Sequence, residues 1–315
     1  MTEIKSKEAV NKGGKTQIRS ILLLLSVLIF GLFFSAETVE YVKEGMNLAI
    51  NCVIPSSFPF MIISDIYVTY GNPENIRLLQ KAFCTLFGFS HKGIAPFIFG
   101  NVGGFPIGAK MVSNLYSSGE LKKDEAERLL PMCNNPSCAF IVGGVGLGIY
   151  GDVKVGFILL GAVYLATIIC GVLVRINGAE FNISNDISKQ KYSFVESVKG
   201  AGTNSVSIVS FISLFSVITG IIKKRVKYSP FSYVAFALLE VSGAVKYSSE
   251  LIDFSPNIAL SLTAFSLGFG GICVGMQSSA FTSPSGLGMK KYYLIKLLEG
   301  VIASTLTSLF FLLIE

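Results

Sequence analysis

Gly100-Asn101-Val102-Gly103-Gly104-Phe105-Pro106-Ile107-Gly108-Ala109-Lys110 sets glycines, a proline and a lysine in the middle of an apolar region. Glycine and proline interrupt the helical hydrogen-bond ladder, and backbone freed in this way is tolerated at membrane depth only where protein buries it or water reaches it. The stretch reads as a broken membrane segment, and broken segments surround something that binds or passes.

The rest of the chain fits that setting. Hydrophobic residues make up 51% of the 315 and charged residues only 15%, against roughly 25% charged in a soluble domain. The expected fold is an all-α polytopic membrane protein. At roughly 20 residues per crossing, the length supplies about eight to ten full or half transmembrane helices. There is no tryptophan, so the interfacial belt falls to tyrosines such as Tyr41, Tyr70, Tyr150 and Tyr192. The net charge of +6 comes from short Lys/Arg clusters beside apolar runs, which is a topology signal and not a nucleic-acid surface. Six cysteines without a CxxC pair and a single histidine, His91, argue against a disulfide framework or a zinc site. No metal or other cofactor is expected.

Along the chain, residues 1–20 read as a basic cytoplasmic tail, because Lys5, Lys7, Lys12, Lys15 and Arg19 precede the apolar run Ile21 to Ala36. With no small-x-small cleavage site behind it, that run is expected to stay as an anchor. Residues 21–175 form a first membrane half. Within it a helix over Val42 to Ile54 should be broken by Pro55 and Pro59 and resume to Tyr70. Asn72 to Gln80 reads as loop. Ala82 to Phe89 and Ile94 to Phe99 are too short to span and suggest re-entrant or half helices. Leu121 to Met132 is charged and amphipathic, a helix lying at the membrane surface. Residues 176–203 are the hydrophilic linker. Residues 204–315 form the second half, with segments at Val206 to Ile222, Tyr233 to Val245, Ile258 to Met276 and Tyr292 to Ile314.

The halves echo each other. Asn51-x-Val53-x-x-x-Ser57-Phe58 returns as Asn204-x-Val206-x-x-x-Ser210-Phe211, and Gly103-Gly104-x-x-x-Gly108 returns as Gly270-Gly271-x-x-x-Gly275. Two related, inverted repeats are expected, and interrupted segments at matching places in two halves are what transporter folds show where substrate binds.

The polar residues of these segments are the site candidates, each with two readings. Ser56, Gly104, Pro106 and Gly108 lie at breaks that expose backbone to a solute. Lys110 attracts a polar or anionic solute, pairs with an intramembrane acid, or snorkels to the interface. Glu240 and Glu299 are acids beside apolar runs; at depth they relay protons, bind a cation or accept from a hydroxyl. In the structural alternative, Glu240 bridges to Lys110 and Glu299 ends near the interface with Lys296. Asn51 and Asn204 bond across helices or face a substrate. Asn134, Asn135 and Gln277 shape turns or read the edge of a base.

Pro55-Ser56-Ser57-Phe58-Pro59-Phe60, Gly104-Phe105-Pro106-Ile107-Gly108-Ala109-Lys110, and Glu125-Ala126-Glu127-Arg128-Leu129-Leu130 leading to Asn134-Asn135 resemble the sporulation integral membrane proteins of the YlbJ type. The resemblance covers the chain from about Val42 onward. It implies a nucleoside-recognition or gate domain, related to parts of concentrative nucleoside transporters and ferrous-iron permeases. It further implies a sporulation-type context in a bacterial cytoplasmic membrane, with a nucleoside as the suggested solute.

Enzymatic signatures are missing: there is no HExxH, no DxxD-like carboxylate pair and no GxxxxGK[ST] phosphate cradle. The expected function is therefore a non-enzymatic, transporter-like or gating protein for a small polar solute, moved passively or with a coupling ion. Its partners are the bilayer, that solute, and further membrane proteins or copies of itself. The alternative is a non-transporting scaffold for spore or envelope assembly.

Overall fold

The structure is a computed structural model and describes residues 35–70, 77–175, 192–226 and 230–314. The basic tail at 1–20, nearly all of the anchor run, and residues 176–191 of the linker lie outside the described residues.

Every element in the described residues is helical. The first is α1 (Ser35–Leu48), which passes through a π-helical turn at Ala49–Val53 into α2 (Ile54–Tyr70). Pro55 and Pro59 do not break this helix. A π turn moves each carbonyl away from the ladder position that a proline ring would strike, and here it comes directly before Pro55. The Ser56 and Ser57 hydroxyls both donate to the Val53 carbonyl at 2.9 Å, holding the widened turn.

Next comes α3 (Arg77–Phe87), which starts inside the stretch expected to be loop. Gln80, Phe83, Cys84 and Phe87 fall on its buried face, and that amphipathic spacing outweighs the polar character of its start. A short 3₁₀ turn at His91–Gly93 leads into α4 (Ile94–Gly103), bent 106° from α3. The expected break follows. Gly104 has φ +84°, and α5 (Ile107–Ser117) starts after Pro106.

Amphipathic α6 (Lys123–Met132) buries Ala126, Leu129 and Leu130 and has Asp124 and Glu125 in its first turn, where carboxylates favour the helix dipole. Residues 133–137 interrupt the chain before a π-helical segment, Phe140–Leu147, and then α7 (Val153–Leu173). Gly146 lies so close to α7 that a Cβ there would fall 2.4 Å from the Gly156 Cα.

In the second half, α8 runs from Phe194–Arg225, twelve residues earlier than expected from Val206. A capping box explains the start: the Ser193 hydroxyl accepts from Glu196 N–H, and the Glu196 carboxylate accepts from Ser193 N–H. The expected single segment Tyr233 to Val245 is two short helices, α9 (Pro230–Leu239) and α10 (Val241–Ser249), split at Glu240. Likewise α11 (Pro256–Phe269) and α12 (Gly271–Thr282) meet at Gly270 and Gly271, with φ +79° and +78°. The last element is α13 (Lys290–Ile314).

Among the described residues five helical stretches, namely α1 with α2, α7, α8, α11 with α12, and α13, are long and apolar enough to cross a membrane, or six if α3 and α4 count as one bent span. On them, large side chains such as Phe157, Leu173, Val206, Leu214, Val301 and Leu309 stand exposed, the surface that lipid covers. The protein is an all-α, multi-pass membrane protein. The glycine echo marks a helix break in both halves. The asparagine echo does not, since Asn51 lies in the π turn and Asn204 in the unbroken α8.

Candidate functional site

Four interruptions and one helix meet at one place. The π turn before α2 brings Val53, Ser56 and Ser57; the α4–α5 break brings Gly103, Gly104 and Phe105; the break after α6 brings Pro136, Ser137 and Phe140; the α9–α10 break brings Glu240, Val241 and Ser242; and α12 brings Val274 and Gln277, with Ile212 of α8 closing the side. They line a partly open pocket whose cavity volume is about 20 Å³.

Backbone contacts fix the breaks to each other. Phe105 N–H donates to the Asn135 carbonyl at 2.9 Å. A Cβ on Gly104 would come 2.7 Å from Ser137 N, one on Gly108 would come 1.7 Å from the Cys133 carbonyl oxygen, and one on Gly271 would come 3.0 Å from Glu240 N. Glycine is needed at these three positions because main chain, not a yielding side chain, occupies the space.

Glu240 caps α10. Its carboxylate accepts from Ser242 N–H at 2.8 Å and Gly243 N–H at 2.6 Å, so a nearly buried charge is held by the positive end of a helix with no cation beside it. Gln277 is 2% exposed; its amide NH₂ donates to Cys273 Sγ at 3.3 Å, and its carbonyl oxygen has no partner among the described residues. Ser137 Oγ accepts from Phe140 N–H at 3.1 Å and lies 3.3 Å from Ser56 Oγ. Among the described residues no basic side chain lines the pocket. It therefore offers acceptors and hydroxyls in an apolar frame, a lining suited to donor-bearing solutes and unsuited to anions.

Of the residues singled out from the sequence, Ser56, Gly104, Glu240 and Gln277 line this pocket. Pro106 and Gly108 are buried in the wall behind it. Lys110 is elsewhere: its ammonium donates to Asp65 Oδ1 and Oδ2 at 2.7 and 2.8 Å, and it lies 5.7 Å from the Tyr192 ring centre. The expected bridge to Glu240 does not form, because α5 turns Lys110 toward α2, where Asp65 is buried in mid-helix and not at a segment end. Asn51 is exposed in the π turn and Asn204 half-buried on α8; neither lines the pocket.

Asn134, Asn135 and Glu299 belong to a second polar cluster beneath the break after α6. Asn134 Nδ2 donates to Ser278 Oγ at 2.7 Å and Tyr292 Oη at 2.8 Å. Asn135 Nδ2 donates to Asn101 Oδ1 and Thr167 Oγ1, both at 2.8 Å. Lys296 and Glu299, one turn apart on α13, pair at 3.0 Å with side-chain exposures of 1% and 0%. Glu299 thus pairs with Lys296 inside the helix bundle, where α6, α7 and α11 all pack against α13.

Ser57, Ser242 and Asn101 were missed, while Ser137 reads from the sequence as a turn former beside Asn134 and Asn135. Asn101 stands inside the opening stretch, and Ser137 follows a proline at a chain break, so both carried a signal. Ser242 follows from Glu240 only once that residue is seen to start a helix. Among the described residues no group of three His, Cys, Asp or Glu side chains is placed to hold a metal ion.

This is thus a polytopic helical membrane protein with a polar pocket at its helix breaks. Over 90% of its length the chain is 26% identical to the sporulation integral membrane protein YlbJ of Bacillus subtilis (strain 168), 82% of which is covered. That likeness supports placing the chain in the YlbJ-type family of integral membrane proteins, as the G-F-P-I-G-A-K element suggests. No family model matches the chain, and no solved structure matches it.

Proposed function

We propose that this protein binds a small, neutral or cationic, hydrogen-bond-donating solute at the helix breaks and gates its passage across the membrane. The observation that carries this reading is Gln277: a buried amide carbonyl without a partner, on a pocket that also holds the helix-capping carboxylate of Glu240. Leaving such an acceptor unpaired costs roughly 1–3 kcal/mol, a cost that a donor on the solute offsets. A nucleoside fits this chemistry, since ribose hydroxyls donate to a carboxylate and an amino or imino edge donates to an amide carbonyl.

In mechanism, the breaks let one group of helices rock against the other, opening the pocket to each side in turn. The bilayer and the solute are its partners, the cytoplasmic membrane its place, and the N-terminus faces the cytoplasm. It performs no chemistry on its solute. The relative's name suggests that the role falls within sporulation.

Vesicles reconstituted with the protein test the reading. Labelled uridine or adenosine should enter faster than into empty vesicles, with entry falling at least tenfold in Glu240→Gln at equal amounts of inserted protein. Entry no faster than into empty vesicles, for nucleosides, nucleobases and amines alike, would overturn it. A second reading, a scaffold for spore or envelope assembly, is favoured by the close main-chain packing of Gly100 and Gly108 on the Cys133 carbonyl; it leaves entry at the empty-vesicle rate.

A further inference from the structure

The Lys296–Glu299 pair is placed for more than structure. It sits in mid-helix on α13, a helix long and apolar enough to span the membrane, and both side chains are sealed from solvent. Ionic groups at such depth are costly and mark ion or proton pathways. Its hydrogen bonding is incomplete on one side only. Glu299 Oε1 accepts from Lys296 Nζ at 3.0 Å and from the Thr167 hydroxyl at 2.9 Å, whereas Glu299 Oε2 is buried without a partner among the described residues. A second orphan acceptor, Asn134 Oδ1, belongs to the same cluster.

The pair is also wired to the pocket. Lys296 Nζ donates to Asn135 Oδ1 at 2.5 Å, Asn135 Nδ2 reaches Thr167 and Asn101, and the Asn135 carbonyl holds Phe105 N–H of the pocket wall. Pro136 and Ser137, the next two residues, line the pocket themselves. A change of charge at Glu299 therefore pulls on one short segment, residues 134–137, that faces both places.

We propose that Glu299 is a proton-coupling site: one proton from water binds at Oε2, forming the O–H bond of a neutral carboxylic acid, and its release regenerates the carboxylate. The pair's net charge passes between zero and +1. Protonation removes the charge partner of Lys296 and leaves its ammonium held by Asn135 alone, so the segment that shapes the pocket shifts with the proton. A metal cation is the poorer occupant, because it would add a second positive charge beside a buried ammonium. The titratable groups around the pair are Cys170 on α7, Cys133 at the end of α6, and Tyr292 on α13; α11 carries none. The inference deepens the proposed solute role by naming its coupling ion, and its test needs no solute.

The chain lacks tryptophan, so Phe140→Trp in the pocket wall makes a single reporter, with Ile212→Trp as a second should the first fail to fold. In detergent, reporter emission is followed against pH over the range where far-ultraviolet circular dichroism shows the protein folded. The expected result is a one-proton transition, retained in Glu240→Gln and Cys170→Ser, and lost in Glu299→Gln and in the charge-free double variant Lys296→Met/Glu299→Leu. No transition, a transition that survives loss of Glu299, or one that follows sodium concentration and not pH would overturn the proposal. A transition together with no solute entry into vesicles would leave the proton site standing and remove the transport reading instead.

Discussion

Lys110 and Asp65 form a closed pair, with the ammonium 2.7 Å from one carboxylate oxygen and 2.8 Å from the other, and side chains only 14% and 5% exposed. The bridge clamps α5 to α2 just outside the pocket.

Removing one partner of a buried pair leaves the other charge uncompensated, at a cost of about 3–5 kcal/mol. Lys110→Ala and Asp65→Ala should each lower the thermal midpoint by several degrees, while Lys110→Met/Asp65→Leu should recover most of the loss. A Lys110→Ala protein as stable as wild type would show that the clamp contributes nothing.

The same reasoning applies to the deeper pair, in which both groups are fully buried. Single truncations, Lys296→Ala or Glu299→Ala, should destabilise by about 3–5 kcal/mol, and their combination by much less than the sum. A double-mutant cycle in thermal unfolding checks this. Simple additivity would mean that the two side chains do not interact.

Glycine at position 108 is irreplaceable because a methyl would meet the Cys133 carbonyl oxygen at 1.7 Å, whereas at Gly161 on the outward face of α7 it would meet nothing within 4 Å. Gly108→Ala should prevent accumulation of folded protein. Gly161→Ala should be neutral or stabilise by up to about 1 kcal/mol, the helix preference of alanine over glycine. Membrane-inserted yield and thermal midpoint distinguish the two, and equal behaviour would contradict the close packing of the break.

At the surface, Lys291 and Arg128 hydrogen-bond to Asp124 and hold its carboxyl below the usual carboxylate range. A group whose folded pKa is depressed adds stability that is present in full above its unfolded value and is lost as pH falls through the folded one. Midpoints should therefore drop on acidification through the carboxylate range, and the drop should shrink in Asp124→Asn. Because the side chain is 55% exposed, the effect is at most about 1 kcal/mol and fades with salt. An unchanged acid profile in Asp124→Asn would rule out this contribution.

What could be read from sequence follows from how local each signal is. The breaks at Gly104 and Gly270 were legible because only glycine adopts their backbone at no steric cost, and the surface helix α6 because its charges keep a helical period. Pro55 and Pro59 misled, since a π turn ahead of them has no composition signature. The split at Glu240 was hidden because a carboxylate capping a helix looks, in sequence, like an acid stranded in an apolar run. Partner choice was least legible: Lys110 and Glu240 are both isolated charges in apolar sequence, and only the direction in which α5 faces gives Lys110 to Asp65.

The central claim is that the pocket at the helix breaks binds a donor-bearing solute. Thermal unfolding of the purified protein against nucleosides, nucleobases, amines and anions tests it most directly, because a ligand that binds only the folded state raises the midpoint. The account predicts a rise with at least one neutral or cationic donor, none with anions, and loss of that rise in Gln277→Leu at a ligand-free midpoint no lower than that of wild type. A flat panel over well-folded protein, or a rise that Gln277→Leu leaves intact, would contradict it.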